Sequence, residues 1–244
     1  MSNESTAPGR LAKRFGMLLL AFDTAGPDCA VAVARSGEEA PEILAKAGER
    51  IGRGHAERLM PMIEAVLREA GIAFRDIGRI AVTTGPGSFT GVRIGIAAAR
   101  GLALALGIPA VGIGSLDAIA FPAARSHRAG TLVAALDARR GEVYARVEDL
   151  SSGRVLREAC AVRPDELAIE LAHTPRPLIL AGAGASLLEN FLSAPEARTF
   201  GTAESPDIAD VAALALKSET GRPPSPLYAR GADAKPQHPA MALR

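Results

Sequence analysis

Short apolar runs separated by turns, together with segments of helical periodicity, predict an α/β fold for this chain. Residues 18–22 predict a buried strand, and residues 29–34 predict its hairpin partner across a turn containing Asp, Gly and Pro. Residues 52–71 contain an amphipathic helix with one apolar face, formed by Leu59, Ile63, Val66, Leu67 and Ala70. Pro61 falls inside that helix and predicts either a kink or the true first turn.

The same alternation continues through the rest of the chain. Residues 80–84 predict a strand, 90–106 a long apolar helix and 110–113 a short strand. Ser115 stands where it can cap a following helix. The remaining predicted elements are strands at 131–136, 143–148, 155–162 and 178–181, and helices at 165–172, 186–191 and 208–217.

One segment of the chain echoes another. Residues 18–33 and 132–147 align without gaps as an apolar strand, an acid, a turn and a returning strand, with Asp23 opposite Asp137. Two copies of one hairpin unit predict two related α/β lobes, each a mixed sheet with flanking helices; the alternative is that any two hairpins look alike. We expect an N-terminal lobe at 17–114, a C-terminal lobe at 115–229 and a flexible tail at 230–244. We expect residues 1–16 to be a disordered leader, with translation starting at Met17 as the alternative.

Composition narrows the class of protein. The 28 basic and 27 acidic residues nearly cancel, and aromatic residues make up 4% of the chain, so unaided nucleic-acid binding is not favoured. Cys29 and Cys160 are the only cysteines, which suits a reducing compartment and predicts a cytoplasmic protein. The most apolar stretch is interrupted by Arg93 and Arg100, and the run at 17–22 is too short for a signal peptide, so we expect no membrane segment.

Residues 82–95 carry the most informative local pattern. A β-rich run enters a Gly-Pro-Gly loop that feeds the long apolar helix, an arrangement that directs backbone N–H groups at an anion. The segment lacks the Lys-Ser/Thr pair of a P-loop and the glycine spacing of a dinucleotide site. It also departs from the Gly-x-Ser-x-Gly nucleophile elbow. Ser88 or Thr90 is therefore interpreted as a helix cap.

The helix at 90–106 is apolar nearly all round, which predicts burial on most of its sides. Gly91, Gly95 and Ala99 recur every four residues, and such a stripe of small residues lets another helix approach closely. We interpret it as a helix–helix interface, with Arg93 and Arg100 at the rim. The alternative is a central core helix within the lobe, which leaves that stripe and the two arginines unexplained.

Two turns raise the question of nucleotide binding. Two-lobed proteins with an Asp at the first turn of each lobe resemble the actin and sugar-kinase superfamily, whose turns carry Gly two residues after the Asp. Here those positions hold Ala25 and Arg139, which favours Asp23 and Asp137 closing their own turns over holding magnesium-nucleotide. The Gly/Ala run at 180–185 is similar to the superfamily's adenosine-contacting loop, although an ordinary strand-to-helix turn explains it equally.

The histidines give no metal motif. The chain has four, and none lies within helical reach of another, so no His-x-x-x-His pair exists. His55 and Glu57 are the only suggestive pair, and we interpret them as surface or interface residues. The sequence therefore predicts no catalytic and no metal-ligating residue in this chain.

Five segments together resemble the TsaB (YeaZ) family. They are Leu20-Ala-Phe-Asp-Thr24, His55-Ala-Glu-Arg-Leu-Met-Pro61, Thr84-Gly-Pro-Gly-Ser-Phe-Thr-Gly-Val-Arg-Ile-Gly95, Leu136-Asp-Ala-Arg-Arg-Gly-Glu-Val-Tyr144 and Pro226-Leu-Tyr-Ala-Arg230. The resemblance covers about residues 17–232 and implies a two-lobed actin-like fold. It implies a non-catalytic role in making N6-threonylcarbamoyladenosine in tRNA.

The resemblance also implies partners. The family member pairs with its catalytic paralogue TsaD, the ATPase TsaE joins the assembly, and the same surface can form a homodimer. The contact is implied to use the helices at 54–70 and 90–106, so we expect partner-binding residues there: His55, Leu59, Met62, Val66, Gly91, Arg93, Gly95, Ala98, Ala99 and Arg100. We expect tRNA to be reached only through the complex.

Other functions remain open at this point. We expect no cofactor in the isolated chain, with ATP or ADP conceivable at an interface of the complex and Asp23, Thr24 and Asp137 as the nucleotide-binding candidates. An ATP-using enzyme of the actin and sugar-kinase class is the first alternative function, and a glycoprotease-like metallopeptidase is the second. Nucleotide affinity in the isolated protein would favour the former, and bound metal the latter.

Overall fold

Two five-stranded sheets organise the computed structural model, which describes residues 16–38, 40–192 and 197–230. The strands are β1 (Leu18–Asp23), β2 (Asp28–Arg35), β3 (Glu42–Arg50), β4 (Arg79–Thr83), β5 (Ala110–Ile113), β6 (Thr131–Arg139), β7 (Glu142–Asp149), β8 (Arg154–Val162), β9 (Leu178–Ala181) and β10 (Ala197–Gly201). The α-helices are α1 (His55–Ala70), α2 (Phe89–Leu106), α3 (Ser115–Ser126), α4 (Pro164–Leu171), α5 (Ala185–Glu189) and α6 (Ile208–Lys217). Apart from Gly16 and Arg230, the predicted leader and tail lie outside the described residues.

Every strand and helix predicted from the sequence is present, and two further strands were missed. Both β3 and β10 lie at the edges of their sheets and are largely exposed, with Ala45 the one buried residue of β3. An edge strand pairs on one side only and buries few side chains, so its hydrophobic pattern is weak. The weak hydrophobic pattern of β3 and β10 explains why the sequence analysis missed them.

The structure corrects two local details of the sequence analysis. The N-cap of α3 is Gly114, and Ser115 is the first helical residue. A Cβ at position 114 would lie 2.2 Å from an Asp117 carboxylate oxygen, so a larger residue at this cap requires the Asp117 side chain to move. Of the two alternatives for Pro61, the true first turn is excluded, because α1 begins six residues earlier and continues through it; the kink stays a prediction.

The two sheets have the same topology. The first has the strand order β3-β2-β1-β4-β5 and the second has the equivalent order β8-β7-β6-β9-β10. In each sheet the first three strands along the chain are antiparallel and the last two add parallel. The predicted duplication into two α/β units with flanking helices is therefore confirmed.

The gapless alignment of the two hairpins holds only along their first strands. Asp23 lies opposite Ala30, seven residues later, whereas Asp137 lies opposite Val143, six residues later. A bulge beside Asp137 accounts for the difference in register.

The elements from β1 to α3 form the first unit and those from β6 to α6 form the second. The last helix of each unit packs on the sheet of the other unit. Helix α6 covers the face of the first sheet formed by Leu19 and Ala21, while α1 and α2 cover the face formed by Leu20 and Phe22. Helix α3 packs on β6 and β9 of the second sheet. This exchange joins the two units, and the lobe boundary at 114/115 stays a prediction that falls at the start of α3.

Candidate functional site

The Gly-Pro-Gly loop lies on the first hairpin turn. The backbone N–H of Ser88 donates to the carbonyl of Ala25 at 2.7 Å. A Cβ at Gly87 would lie 2.3 Å from that same carbonyl oxygen. The Ser88 hydroxyl accepts from the N–H of Gly91 at 3.2 Å, so Ser88 and not Thr90 caps α2. The loop's close approach is made to the protein's own backbone.

The glycine stripe of α2 faces inward. A Cβ at Gly91 would lie 2.0 Å from the carbonyl oxygen of Thr24, and one at Gly95 would lie 2.6 Å from the Thr24 hydroxyl. That hydroxyl donates to the carbonyl of Gly91 at 2.7 Å. Ala99, the third member, is fully buried in the core. The interpretation of this stripe as a surface for another chain is wrong, because it packs against the β1–β2 turn.

The expected partner-binding residues of α1 are also buried in the lobe. His55, Leu59, Met62 and Val66 are at most 5% exposed and hold α1 against the first sheet. The His55 Nε2 lies 3.2 Å from the carbonyl of Asp28. These side chains set the position of the helix and are not available for contact with another chain in this conformation.

The outward side of α2 is exposed and apolar. Only five of its 18 residues are buried, so the expected burial on most sides is wrong. Ala97 and Gly101 are exposed, Ala98 is half-buried, and Leu104 is 86% exposed. Apart from its own helix backbone and chain neighbours, no heavy atom of the described residues lies within 4 Å of a Cβ built at Gly101. A second row of small residues therefore faces outward from the same helix.

Helix α2 meets the length and composition of a membrane span, a test that core helices of soluble proteins also pass. Its inner face is packed on the first sheet, and Arg93 and Arg100 interrupt its outer side. These features favour a helix packed on the sheet over a span.

The two arginines of α2 hold the C-terminal segment. Arg93 donates to the Tyr228 hydroxyl from Nε at 3.2 Å and from Nη2 at 3.0 Å. Its guanidinium carbon lies 3.7 Å from the centroid of the Phe89 ring. Arg100 donates to the carbonyl of Pro224 at 2.9 Å. Both arginines are exposed, as expected for residues at the rim of an interface. Both are already hydrogen-bonded to the C-terminal segment of the same chain.

Each turn aspartate closes its own turn. Asp23 Oδ1 accepts from the N–H of Ala25 at 2.8 Å and from the Thr83 hydroxyl. Asp137 Oδ1 accepts from the N–H of Arg139 at 2.7 Å. Asp23 is wholly buried, which raises the pKa of its carboxyl, and its Oδ2 has no hydrogen-bond partner among the described residues. The geometry therefore favours the interpretation that Asp23 and Asp137 each hold their own turn.

A cavity of about 630 Å³ lies between the two hairpin turns. Its wall includes Gly26, Ser88, Asp137, Arg139 and Ala183, but not Asp23. The size suits a small molecule. The residues present do not fit a magnesium-nucleotide bound by two turn carboxylates, because Asp23 lies buried behind the wall. Among the described residues, no three His, Cys, Asp or Glu side chains form a group that could hold a metal ion.

The glycine run of the second unit is the counterpart of the Gly-Pro-Gly loop. It links β9 to α5 as the Gly-Pro-Gly loop links β4 to α2. The N–H of Gly184 donates to the carbonyl of Ala135 at 2.9 Å, so this run rests on strand β6 of its own hairpin, whereas the Gly-Pro-Gly loop rests on the hairpin turn. The glycine run thus makes the contacts of an ordinary strand-to-helix turn, the second of the two alternatives that its sequence suggested.

The sequence interpretation missed two parts of this surface. The first is the outward row of small residues, which has the same four-residue spacing as the inward row, so the spacing does not distinguish them. The second is the contact of Tyr228 with Phe89 and Arg93, between residues 135 or more positions apart. No local pattern signals a contact over that separation.

Comparison with known proteins places this geometry in a family. The family model described as "TsaD: tRNA N6-adenosine threonylcarbamoyltransferase" matches residues 45–187, more than half of the chain. The tRNA threonylcarbamoyladenosine biosynthesis protein TsaB of Escherichia coli is 42% identical over 128 residues, covering 52% of this chain and 53% of that protein. The protein of the same name from Bacillus subtilis is 32% identical over 174 residues, covering 70% of this chain and 73% of that protein.

A solved structure agrees over a longer span. YeaZ from Pseudomonas aeruginosa is 33% identical with a TM-score of 0.71, covering 87% of this chain and 99% of that one. The alignments to the Escherichia coli and Haemophilus influenzae relatives span about half of those proteins' length, 53% and 52%. The extended match to the Bacillus relative, the structural agreement and the duplicated fold lead to one conclusion: the chain belongs to the TsaB (YeaZ) family.

Proposed function

We propose that this protein is a non-catalytic subunit of the complex that makes N6-threonylcarbamoyladenosine in tRNA. Its relatives are named as tRNA threonylcarbamoyladenosine biosynthesis proteins, and a family model for the threonylcarbamoyltransferase matches residues 45–187. In this proposal the subunit binds a TsaD-type paralogue and activates it. TsaE joins the same assembly in the cytoplasm, and tRNA is reached through the complex.

The observation that carries the proposal is the outward face of α2. Leu104 is 86% exposed, and Ala97 and Gly101 beside it leave a shallow apolar surface. Soluble proteins rarely leave contiguous apolar surface open unless it binds something. Small residues allow a second helix to approach closely and gain dispersion contacts along its length.

A protein of the same fold suits this surface. A paralogue presents a corresponding pair of helices, so two such pairs can pack as a four-helix layer. A second copy of this chain offers the same helices, and the homodimer therefore competes with the heterodimer. The buried inward residues support the contact indirectly, since Gly91 and Gly95 let α2 sit close to its own sheet.

The site chemistry is consistent with a supporting role. Asp23 is buried and bonded within its own turn, and Asp137 bonds the backbone of Arg139. His55 lies against the carbonyl of Asp28. The residues that would be the first candidates for catalysis thus have structural partners. Nucleotide bound at the interface of the complex remains part of the proposal.

The test is binding of the TsaD-type paralogue to a Gly101→Leu variant. The new side chain projects into open space, so the monomer folds normally while a closely approaching helix is obstructed. Calorimetry is expected to show affinity reduced at least tenfold, a change of about 1.4 kcal/mol. Glu166→Leu, on the exposed side of α4, is the matched control and should bind normally. Unchanged affinity of a folded Gly101→Leu variant would reject the assignment of this face.

A further inference from the structure

The cavity between the two hairpin turns has walls from both units of the fold. The first unit contributes the β1–β2 turn, the Gly-Pro-Gly loop and the start of α3, and the second contributes the end of β6, part of β7 and the start of α5. Its volume of about 630 Å³ falls in the range of roughly 300–1,000 Å³ that is typical of small-molecule sites. A magnesium-nucleotide does not fit it, so the chemistry of the wall has to indicate what the cavity binds.

One residue of the wall has a buried hydroxyl without a partner. Ser115 is the first residue of α3 and is 2% exposed. Its N–H donates to the carbonyl of Gly85 at 2.7 Å, which fixes the residue against the Gly-Pro-Gly loop. Ser115 lines the cavity, and its Oγ has no hydrogen-bond partner among the described residues. An unpaired buried hydroxyl destabilises a folded protein, and a ligand that pairs with it removes that cost.

A second serine at this cavity has the same kind of unpaired hydroxyl. Ser205 stands between Glu204 and Pro206, and both of those residues line the cavity. Its Oγ lies beside Gly26, is buried, and has no hydrogen-bond partner in the part of the chain that the structure describes. Two unpaired hydroxyls at one cavity indicate a ligand with several hydrogen-bonding groups.

Two more serine hydroxyls on the wall have hydrogen-bonding capacity left. Ser88 Oγ accepts from the N–H of Gly91 at 3.2 Å, and its own proton stays available for donation. Ser186 Oγ donates to the carbonyl of Ala183 at 3.3 Å, and its lone pairs stay available to accept. Every uncharged polar side chain among the described lining residues carries a hydroxyl, since Tyr144 is the one other such residue. The wall therefore suits a ligand whose groups both donate and accept.

The charged side chains of the described wall cancel one another. They are two arginines and two acids, namely Arg50, Arg139, Asp137 and Glu204. Arg50 Nη2 donates to Glu204 at 2.8 Å, and Arg139 Nη1 donates to Asp137 at 3.3 Å. A phosphate or an ammonium group entering the cavity would lose water and meet charges that are already paired, which is unfavourable. The wall therefore favours an uncharged ligand.

We propose that this cavity binds an uncharged, polyhydroxylated molecule of the monosaccharide class, with the Ser115 hydroxyl as its central polar contact. The hydroxyls of a sugar both donate and accept, which matches the serine hydroxyls of the wall. The C–H faces of a sugar ring pack on apolar surface, which Ala25, Pro86 and Leu136 provide. Because both units contribute to the wall, a bound sugar bridges them and stabilises the folded protein by mass action.

This inference does not depend on the proposed function. The exposed residues of the docking face, Ala97, Gly101 and Leu104, are not among the residues that line the cavity. Failure of sugar binding would leave the docking face of α2 untouched, and a Gly101→Leu variant that binds the paralogue normally would leave the cavity site untouched.

The first test titrates the purified full chain with D-glucose, D-ribose, D-glucose 6-phosphate and ATP while amide chemical shifts are followed by NMR. Ligand concentrations up to about 10 mM detect a Kd near about 1 mM. D-glucose or D-ribose is expected to shift the amides of Ser115, Ser88 and Gly26. D-glucose 6-phosphate has the same ring with a negative charge and should bind at least about tenfold more weakly than D-glucose. Tighter binding of the phosphate or of ATP, or no shift with either sugar, overturns the proposal.

The second test locates the sugar with variants. Ser115→Ala should weaken binding about five- to tenfold and melt no lower than the unmodified protein, because it deletes an unpaired hydroxyl. Ser126→Ala, at the exposed far end of the same helix, is the matched control and should bind normally. Ser186→Phe adds a ring at an exposed part of the wall and should block the cavity.

Three results contradict the assignment of Ser115. A lower melting temperature of Ser115→Ala without sugar would mean that its hydroxyl is already paired, for example by an ordered water. Unchanged sugar affinity of folded Ser115→Ala and Ser186→Phe would place the sugar elsewhere on the protein. Equal weakening by Ser115→Ala and the Ser126→Ala control would show a general effect on α3 and no specific contact.

Discussion

Alanine at Gly91 and alanine at Gly101 are expected to have opposite effects on stability. Both positions lie on α2, ten residues apart, and the chemical change is the same added methyl group. At Gly91 the new Cβ would lie 2.0 Å from the carbonyl oxygen of Thr24, whereas at Gly101 no described atom outside the local helix backbone lies within 4 Å of it. The pair therefore isolates the cost of the inward contact from the general effect of glycine in a helix.

The magnitude follows from three terms. Forcing the helix away from the turn costs about 1–3 kcal/mol, as overpacking does in other cores. The buried bond from the Thr24 hydroxyl to the Gly91 carbonyl is lost, at about 1 kcal/mol. Replacing glycine by alanine returns about 1 kcal/mol of helix propensity. Gly91→Ala should thus lose about 2 kcal/mol net, and Gly101→Ala should gain up to about 1 kcal/mol.

Thermal and urea unfolding followed by circular dichroism measure both variants. For a protein of this size the loss corresponds to a melting temperature lower by about 4–8 °C. Equal stability of the two variants, or a Gly91→Ala variant as stable as the unmodified protein, would refute the inward orientation of the glycine stripe. Binding measurements on Gly91→Ala would not substitute, because a destabilised helix also binds poorly.

Two further predictions concern buried titratable groups. Burial, with a smaller contribution from the nearby Asp23, raises the pKa of the Cys29 thiol to about 11. In native protein near pH 8, a thiol reagent should therefore modify Cys160, and it should reach the buried Cys29 only after denaturation. Equal rates of modification for both thiols would contradict this. Burial raises the pKa of the Asp23 carboxyl in the folded protein above its ordinary value of 3.8. The protonated carboxyl therefore stabilises the folded protein fully below pH 3.8, and this contribution is lost as the pH rises through the folded pKa. Urea unfolding between about pH 4 and pH 8 should therefore show the unmodified protein losing stability relative to Asp23→Asn as the pH rises, and a pH-independent difference would contradict it.

Much of the fold follows from local pattern. Buried strands such as β1 and β9 are short apolar runs, and α6 has strong helical periodicity, so their limits are predicted within a residue or two. The edge strands β3 and β10 were missed because an edge contributes few buried positions. The exchange of α3 and α6 between the sheets has no local signal at all, since it depends on how the two units meet.

The candidate site was only partly predictable. The residues of α1 and α2 were identified as a contact region, but most of the chosen side chains, including Leu59 and Gly95, are buried in the lobe. Arg93 and Arg100 are exposed as expected, yet their partners lie more than 120 positions along the chain. A sequence pattern identifies an amphipathic or apolar helix, but it does not specify which distant segment covers each side.

By itself, the sequence determined all but two edge strands of this protein, the duplication of its two units and the motifs of its family. These depend on local periodicity and on the spacing of turn residues, which are written directly along the chain. Only the tertiary structure decided which face of α2 is inside. Residues 91, 95 and 99 and residues 97, 101 and 105 are both rows of small side chains at the same spacing. The first row packs inward because it meets the Thr24 turn at a distance that only glycine tolerates, and that contact leaves the second row open to solvent.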